Sequence, residues 1–466
     1  MKIDVLVAEI GSTTTVINAF QGMGTSDPVF VGQGQAPTSV SEGDVVMGLR
    51  GALEDLKHQL QVTTLSYDRF LATSSAAGGL KMTVHGLVYD MTVRAAKEAA
   101  LGAGANIHMV TAGRLRRTDI AKIRAINPNI ILIAGGVDYG ERDTAIYNAE
   151  MIAQLALPIP VIYAGNIENQ EEIRLIFEEK GLEIAIVDNV YPRIDQLHIE
   201  PTRKIIQAVF EKHIVHAPGM ERVRDMVNGK IVPTPGAVML GAQMFYDYLG
   251  DVLVFDVGGA TTDVHSVTEG SEEYERILIS PEPKAKRTVE GDLGVYVNRR
   301  NLVDRCGLER LSQQVGLSEE HMNDFVEQLP PIPQKPQEIE FVRQLTQKAV
   351  EISLRRHGGK LRDLYSSSGK KQVAEGKDLT AIRYLIGTGG ALTRLPHGKE
   401  LIKQVIANTK GHEMFPTEEA TVLLDDDYIM ASLGVLSQEY PDEAFRLLLK
   451  SLRLEHSMLE VGHDLS

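Results

Sequence analysis

Hydrophobic and polar positions near the start of the chain alternate in a way that is typical of strands joined by tight turns. Strand-like runs cover Asp4–Ile10, Thr14–Phe20 and Pro28–Gln33. A different spacing follows in Asp44–Leu60, where nonpolar residues recur every three or four positions, which predicts an amphipathic helix. Three strands and then a helix indicate a domain that opens with a β-meander.

Between residues 106 and 190 the pattern becomes a regular alternation. Four strand-like runs are separated by helical stretches such as Glu141–Leu155 and Gln170–Lys180, and the runs are IHMVTAG, NIILIAGG, IPVIYAGN and EIAIVDN. Strands that alternate with helices form βαβ units, which build parallel sheets. The sequence therefore predicts a parallel α/β segment inside the N-terminal half.

The second half repeats the opening pattern, because Asp251–Val267 is again typical of a strand, a tight turn and a strand. Gly270–Thr288 is charged and contains prolines, which favours a hairpin or surface excursion. The four prolines of Gln328–Gln337 predict a loop between two helices, and the polar Leu361–Lys377 is expected to be an exposed connection. We predict an N-terminal domain at residues 1–249, a C-terminal domain at 250–440 and a helical tail at 441–466.

Composition narrows the classes of function. The net charge of −15 disfavours nucleic acid as a partner, because binding to a phosphate backbone usually requires a basic surface. The single cysteine, Cys306, excludes an intrachain disulfide and fits a reducing compartment. We see no secretory signal and no apolar run of ~18 residues that would span a membrane. We therefore expect a cytoplasmic protein without a membrane or nucleic-acid partner.

Three glycine-rich turns carry the candidate chemistry. The first, in VLVAEIGSTTTVINAF, follows an apolar strand and has Glu9 just before Gly11. The second, VLVFDVGGATTDVHSV, has Asp256 at the strand end, and the third, IRYLIGTGGALTRLP, contains the run GTGG. Turns without bulky side chains let backbone amides and short hydroxyl groups point at phosphate oxygens. A single such turn is more often an ordinary hairpin.

The first two turns are near-duplicates of one another. Each has an acidic residue, then glycine, a small residue and two threonines, and the acidic residues Glu9 and Asp256 lie 247 positions apart. Two related domains that present matching turns to a shared cleft explain this repeat better than chance does. The sequence therefore predicts an α/β fold of two related domains with phosphate-binding turns in the cleft between them.

The three turns together resemble the phosphate-one, phosphate-two and adenosine motifs of the actin, hexokinase and heat-shock ATPase superfamily. The chain also resembles the glutamate mutase accessory proteins of the MutL/GlmL type in VAEIGSTTT, ATSSAAGGLKMTVHGL, RAAKEAALGAGA, ILIAGGVDYG, VPTPGAV, DVGGATTDVHSV and TVEGDLG. With the third turn, these stretches run from the first strand to Gly390 and cover most of the chain. The resemblance implies a two-domain actin-like ATPase fold with the nucleotide in the cleft between the domains.

The resemblance also implies which residues bind ATP and Mg²⁺. Asp256 and Glu9 would be the catalytic carboxylates and would hold Mg²⁺ through water, although the wider superfamily usually has Asp at the position of Glu9. Asp256 would orient the attacking water or the metal-bound water. The nucleotide-binding residues implied by the three motifs are Gly11, Ser12, Thr13, Thr14, Gly258, Gly259, Thr261, Thr262, Gly387, Thr388, Gly389 and Gly390.

The segment TVEGDLG is a fourth candidate element with two interpretations. Glu290, Gly291 and Asp292 could contact the ribose or the surroundings of the metal, as the matching segment does in the chaperones that the chain resembles. Alternatively, Asp292 caps a helix over Leu293–Val303. The sequence leaves both interpretations open.

Two other polar clusters are better explained by local structure. The run Asp425–Asp427 stands directly before the helical stretch Tyr428–Ser437 and is typical of a helix cap. Arg114, Arg116 and Arg117 form a small basic cluster that favours a solvated face rather than a partner site.

The function implied by the resemblance is chaperone-like. The chain would use ATP to reactivate or maintain an adenosylcobalamin-dependent mutase, either glutamate mutase or a related aminomutase, through a cleft that closes on ATP and reopens after hydrolysis. The alternative is a small-molecule kinase of the same fold, because both functions need the same phosphate cradle. An electron-transferring activator of radical dehydratases is disfavoured, because its cluster needs four thiolates and a dimer of this chain has two. The sequence leaves open whether the chain forms a homo-oligomer.

Overall fold

The computed structural model describes residues 1–11, 14–39, 44–75, 80–213, 220, 222–366, 369–409 and 413–454. These residues form four β-sheets surrounded by helices. The strands in chain order are β1 (Lys2–Ile10), β2 (Thr14–Gln21), β3 (Val29–Pro37), β4 (Ser66–Ser74), β5 (Leu80–Gly86), β6 (Ala105–Ala112), β7 (Ile130–Ile133), β8 (Val161–Tyr163), β9 (Ile184–Ile186), β10 (Ile231–Pro233), β11 (Val252–Val257), β12 (Thr262–Val267), β13 (Ala285–Glu290), β14 (Lys360–Ser366), β15 (Gly369–Glu375), β16 (Tyr384–Thr388) and β17 (Thr421–Leu424).

The α-helices of the described residues range from one turn to six turns. In chain order they are α1 (Val46–Gln59), α2 (Arg94–Gly102), α3 (Arg117–Ile126), α4 (Asp143–Ala153), α5 (Gln170–Glu178), α6 (Glu200–His213), α7 (Thr234–Leu249), α8 (Glu272–Glu275), α9 (Arg299–Cys306), α10 (Leu308–Val315), α11 (Glu319–Gln328), α12 (Pro336–His357), α13 (Gly390–Thr393), α14 (Gly398–Ala407), α15 (Met430–Leu436) and α16 (Pro441–Ser451).

The first and second sheets have the same topology. The first has the order β10-β4-β1-β2-β3, and the second has the order β13-β12-β11-β16-β17. In each, an antiparallel meander starts at the central strand, and two later strands pair in parallel on its other side. The two sheets are therefore repeats of one unit, and the predicted two-domain actin-like α/β fold is confirmed.

The third sheet lies within the N-terminal half, between β4 and β10. Its strands are all parallel in the order β6-β5-β7-β8-β9. The predicted parallel α/β segment at residues 106–190 is thus confirmed, but it begins earlier, at Leu80 in β5. We call this unit the inserted sheet.

One hydrophobic cluster joins the first and second sheets. It includes buried residues of β1 and β11 together with those of α7, α15 and α16. Helix α15 packs on α7 and on β4, so residues late in the chain complete the core beneath the first sheet. Helix α16 accounts for part of the predicted tail, and residues 455–466 lie outside the described part of the chain. The domain limits at 249 and 440 stay predictions.

Two polar segments are more regular than the sequence predicted. Leu361–Lys377 is not an irregular connection, because it contains most of the antiparallel hairpin of β14 and β15. The end of Gly270–Thr288 agrees with the hairpin alternative and not with a surface excursion, because it enters β13, which pairs antiparallel with β12 and in which Lys286 and Arg287 are buried.

Within the described residues, no helix is both long enough and apolar enough to cross a lipid bilayer.

Candidate functional site

A cleft of about 680 Å³ opens where the turns after β1 and β11 come together. This volume lies within the range of small-molecule sites in proteins. Eight of the residues predicted from the three turns and their acidic partners line it, and these are Glu9, Gly11, Thr14, Asp256, Gly258, Gly259, Thr261 and Gly390.

The turns after β1 and β11 have the same hydrogen-bonded geometry. The amide of Gly11 donates to the carbonyl of Thr14 at 3.0 Å, and the amide of Gly258 donates to the carbonyl of Thr261 at 2.9 Å. Both pairs close a hairpin at the same register, 247 residues apart. The sequence repeat is therefore also a structural repeat. The predicted residues Ser12 and Thr13 lie outside the described residues.

The carbonyl groups of the second turn are held by the neighbouring segment 295–298. The carbonyls of Gly258 and Gly259 accept hydrogen bonds from the amides of residues 295–297, and the carbonyl of Ala260 accepts one from the Asn298 side chain at 2.8 Å. A trans peptide points its N–H group opposite to its C=O group. Because the carbonyls point into segment 295–298, the amides of Gly259, Ala260 and Thr261 point the other way. Successive backbone amides in a turn of this kind are groups that can bind an anion.

Two further features favour an anion at the second turn. A side chain at Gly294 would lie 2.3 Å from the Ala260 carbonyl, so glycine is needed for segment 295–298 to approach the turn. Helix α7 starts at the cleft, where its first residues, Thr234 and Pro235, line the wall. The positive end of this helix dipole adds to the attraction for negative charge.

Glu9 lies at the floor of the cleft and is almost fully buried. Its Oε1 accepts hydrogen bonds from the Ser432 hydroxyl at 2.6 Å and from the Ser432 amide at 3.1 Å. Burial raises the pKa of Glu9 to about 7, although the hydrogen bonds from Ser432 oppose this shift. The carboxyl is therefore fixed in place, and burial favours its protonated form.

Asp256 occupies the equivalent position at the end of β11. Burial, together with the nearby carboxylates of Asp263 and Glu9, raises its pKa to about 7. Gly389 packs directly behind it, with a φ of +85°, and a side chain there would lie 2.7 Å from Asp256 Oδ1. The third turn thus packs against Asp256, and Glu9 is close enough to raise the pKa of Asp256.

The cleft is strongly acidic in its described lining. Five carboxylates line it (Glu9, Asp256, Asp263, Asp426 and Asp427), whereas Arg394 is the one lysine or arginine among the described lining residues. Arg394 donates to the Gln33 side chain and lies over the ring of Tyr428. The sequence predicted no role for Gln33, Arg394 or Tyr428, although Arg394 stands only four positions after Gly390.

The structure does not bring every predicted residue to the cleft surface. Thr262 is buried and donates to the Leu293 carbonyl at 2.8 Å. Thr388 is buried and donates to Asp425 at 2.9 Å, while a side chain at Gly387 would meet Leu424 in the core. Thr262, Gly387, Thr388 and Gly389 therefore pack beneath the turns. That they contact a ligand stays a prediction.

The segment with Glu290, Gly291 and Asp292 also lies away from the cleft lining. Both carboxylates pair with Arg356, and Asp292 Oδ1 accepts from its Nη1 at 2.7 Å. The helix-cap interpretation of Asp292 is wrong, because the next helix, α9, starts only at Arg299. An ion pair across the sheet edge takes the place of the cap.

The cap interpretation of Asp425 is confirmed. Its carboxylate accepts hydrogen bonds from the amides of Ile429 at 3.1 Å and Met430 at 2.9 Å, where α15 begins. Among the described residues, no group of three Asp, Glu, His or Cys side chains has the geometry to hold a metal ion by itself. Any metal in the cleft would need ligand oxygens from water or from a bound substrate.

Comparisons with solved structures find low identity along almost the whole chain. A nucleotide-free acetone carboxylase is 14% identical with a TM-score of 0.40, covering 93% of this chain and 70% of its own. A nucleotide-free diol dehydratase-reactivating factor is 10% identical with a TM-score of 0.38, covering 94% and 100%. A glycerol dehydratase reactivase is 12% identical with a TM-score of 0.33, covering 93% and 99%.

Sequence comparison gives a much stronger match. Protein MutL of Clostridium tetanomorphum is 34% identical over 423 residues, which cover 88% of this chain and 92% of that protein. A family model described as MutL protein matches residues 5–452. With a match over nearly its full length and a relative of this identity, the chain belongs to the MutL protein family.

Proposed function

We propose that this protein is an ATP-binding and ATP-hydrolysing accessory factor that reactivates or maintains an adenosylcobalamin-dependent mutase, either glutamate mutase or a related aminomutase. Family membership supports the accessory role. The observation that carries the nucleotide part is the pair of matching turns that face one cleft, each following a strand-end carboxyl.

The phosphate chain of ATP fits the second turn. The amides of Gly259, Ala260 and Thr261 would donate to phosphate oxygens, and the first turn would contact them from the other domain through Gly11 and Thr14. A ligand held from both sides draws the domains together. Binding therefore stabilises a closed cleft relative to an open one.

A divalent cation would balance the charge of a polyanionic ligand in this cleft. Five carboxylates and one guanidinium line its described part, so a polyanionic ligand needs additional positive charge. Bound Mg²⁺ would supply that charge and polarise the phosphate oxygens. Glu9 and Asp256 would hold it through water, which agrees with the lack of a three-ligand metal group among the described residues.

Asp256 is the residue best suited to accept a proton during hydrolysis. It lies at the cleft floor beside the phosphate-binding turn, and its raised pKa, about 7, is matched to proton transfer near neutral pH. Glu9 is held by two hydrogen bonds from Ser432 and would fix the water molecules around the cation. The nucleoside would lie toward the third turn, against Gly390, Ala391 and Leu395.

The deciding experiment measures recovery of an inactivated mutase. An adenosylcobalamin-dependent mutase from the same organism is inactivated by turnover and then given this protein, Mg-ATP and fresh adenosylcobalamin. Recovery is expected to require ATP and to be lost with Asp256→Asn. Equal recovery without nucleotide would contradict the proposal, and rapid phosphorylation of a small metabolite would establish the kinase alternative instead.

A further inference from the structure

The carboxyl-terminal edge of the inserted sheet exposes an unusual number of large nonpolar side chains. Fourteen such side chains are exposed among the described residues, and five of them follow the ends of β5, β7, β8 and β9. Their exposed fractions are 43% for Val88, 56% for Tyr89, 78% for Tyr139, 48% for Ile167 and 69% for Ile194. Isolated exposed nonpolar residues are ordinary, but a group on one edge marks a contact surface.

Buried amide side chains hold the loops of this edge together. The side-chain oxygen of Asn166 accepts from the amide of Tyr139 at 3.1 Å, and Asn189 donates to Asp138 at 2.9 Å. The same Asp138 accepts from the amide of Ile167 at 3.0 Å. Three loops from different strands are thus connected by hydrogen bonds, so the nonpolar side chains are presented in a fixed arrangement.

The loop after β9 is joined to the same network. The amide of Asp138 donates to the Pro192 carbonyl at 2.9 Å, and the hydroxyl of Tyr191 accepts from the amide of Asp195 at 2.8 Å. Ile194 lies between these two anchored points. Its exposure therefore belongs to a fixed loop rather than to a loose one.

Tyr139 has a backbone conformation that disfavours its own side chain. Its φ is +63°, in the left-handed region where glycine and asparagine are more stable than an aromatic residue. Strained conformations of this kind concentrate at functional positions. The most exposed nonpolar side chain of the described residues thus occupies a costly conformation, which indicates that it contacts something outside this chain.

The charge around these side chains is mostly negative. From β5 toward β9 the edge has six exposed carboxylates, which belong to Asp90, Glu141, Asp143, Glu168, Asp188 and Asp195. It has two exposed guanidinium groups, which belong to Arg142 and Arg193. The basic cluster of Arg114, Arg116 and Arg117 lies beyond β6, at the opposite flank. A complementary partner face would be nonpolar at its centre and rich in lysine and arginine at its rim.

We propose that this edge, formed by Val88, Tyr89, Tyr139, Ile167 and Ile194 and called the docking edge below, binds a basic-rimmed nonpolar face of the mutase. This inference rests on the proposed function for the identity of the partner. None of the five residues lines the nucleotide cleft, so docking and nucleotide binding use separate surfaces. Exposed tyrosine and isoleucine that are fixed before binding cost little conformational entropy when they contact a partner.

The test is binding of the purified, inactivated mutase to the full-length chain and to a triple variant, Tyr139→Asn with Ile167→Ser and Ile194→Ser. Asparagine tolerates the left-handed conformation, so the first substitution keeps the loop folded. We expect mutase affinity to fall at least about ten-fold, while Mg-ATP affinity stays unchanged. Glu168→Lys should also weaken binding, and the effect should shrink as salt concentration rises.

The matched control is Ile279→Ser with Leu364→Ser, which removes two side chains of similar exposure far from the docking edge in sequence. It should bind the mutase as the unmodified chain does. Unchanged mutase affinity in the triple variant would overturn the docking edge and leave the proposed function intact. If the unmodified chain bound nucleotide but no mutase, the proposed function would fail as well. A dimer that became monomeric in the triple variant would assign the edge to a second copy and overturn the proposal.

Discussion

Asp263 and Arg287 form a buried ion pair that joins the cleft to the inserted sheet. Arg287 Nε donates to Asp263 Oδ1 at 2.9 Å, and its side chain has no solvent exposure. The same guanidinium donates to the carbonyl of Leu101, in α2, at 3.2 Å and to that of Ala105, the first residue of β6, at 2.9 Å. Because Asp263 lines the cleft, one arginine contacts both regions.

Arg287→Lys should uncouple the two regions without abolishing nucleotide binding. Lysine keeps the charge beside Asp263, but it lacks the planar fork that reaches the two carbonyls. We expect a stability loss of roughly 1–3 kcal/mol from the lost hydrogen bonds and a smaller effect of Mg-ATP on mutase affinity. Mutase binding measured with and without nucleotide checks this. If Mg-ATP changed the mutase affinity of the folded variant as much as that of the unmodified chain, this prediction would be wrong.

Asp256→Asn should bind nucleotide and fail to hydrolyse it. Asparagine has nearly the same shape but cannot accept a proton from water, so turnover should fall on the order of 10²-fold. Phosphate release gives the rate, and calorimetric titration with Mg-ATP gives the affinity. Asp304→Asn, at an exposed position on α9, is the matched control. Turnover at the parent rate in the first variant would move the catalytic role to Glu9 or Asp263.

The nucleotide-free protein should lose stability as pH rises from about 5 to about 8. Both Glu9 and Asp256 have a pKa of about 7 in the folded state, above their ordinary values of 4.5 and 3.8. The folded state therefore binds more protons than the unfolded state in this interval, so the free energy of unfolding falls as pH rises.

Two neutral variants test this pH dependence. Glu9→Gln and Asp256→Asn cannot ionise, so each should flatten the decline and raise the Tm at pH ~8 by on the order of 2 °C. Thermal unfolding across the pH range, without nucleotide, gives the answer. If Tm fell with pH in the same way in the unmodified chain and in both variants, these two carboxyls would not govern the pH dependence of stability.

Arg394→Gln should weaken phosphate binding selectively. Arg394 is the one lysine or arginine among the described cleft residues, so its loss removes attraction for the phosphates and little for the nucleoside. The affinity for ATP should fall by roughly ten-fold, in the range of one charge-assisted hydrogen bond, and that for adenosine should change little. Arg383→Gln, a largely exposed arginine, serves as the control. Equal loss for ATP and adenosine would indicate a role in closing the cleft, through Gln33, instead.

Local sequence was sufficient to predict the two matching turns. The order of acidic residue, glycine and threonine is a short-range property, and the same order produces the same hairpin at Gly11 and Gly258. The βαβ pattern of the inserted sheet is similarly local. Its first strand, β5, was missed because no regular alternation precedes it.

The sequence could not predict which distant segments pair with one another. The burial of Arg287 could not be predicted, because charged residues are rarely buried without partners and its carbonyl acceptors in Leu101 and Ala105 are more than 180 residues away. The pairing of Asp292 with Arg356, 64 residues later, replaced the expected helix cap for the same reason. Arg394 has no local signal either, since its position in the cleft depends on how the two domains meet.

The contact between Ser432 and Glu9 has a consequence for biosynthesis. These residues are 423 positions apart, and Ser432 also accepts a hydrogen bond from Asn18 at 2.9 Å, 414 positions away. A ribosome makes the first sheet long before it makes α15, so a nascent chain holds Glu9 without its two hydrogen bonds from Ser432. Contacts of such long sequence separation form late in folding. The cleft around Glu9 is therefore completed only after translation has passed Ser432, and shorter nascent chains are expected to lack it.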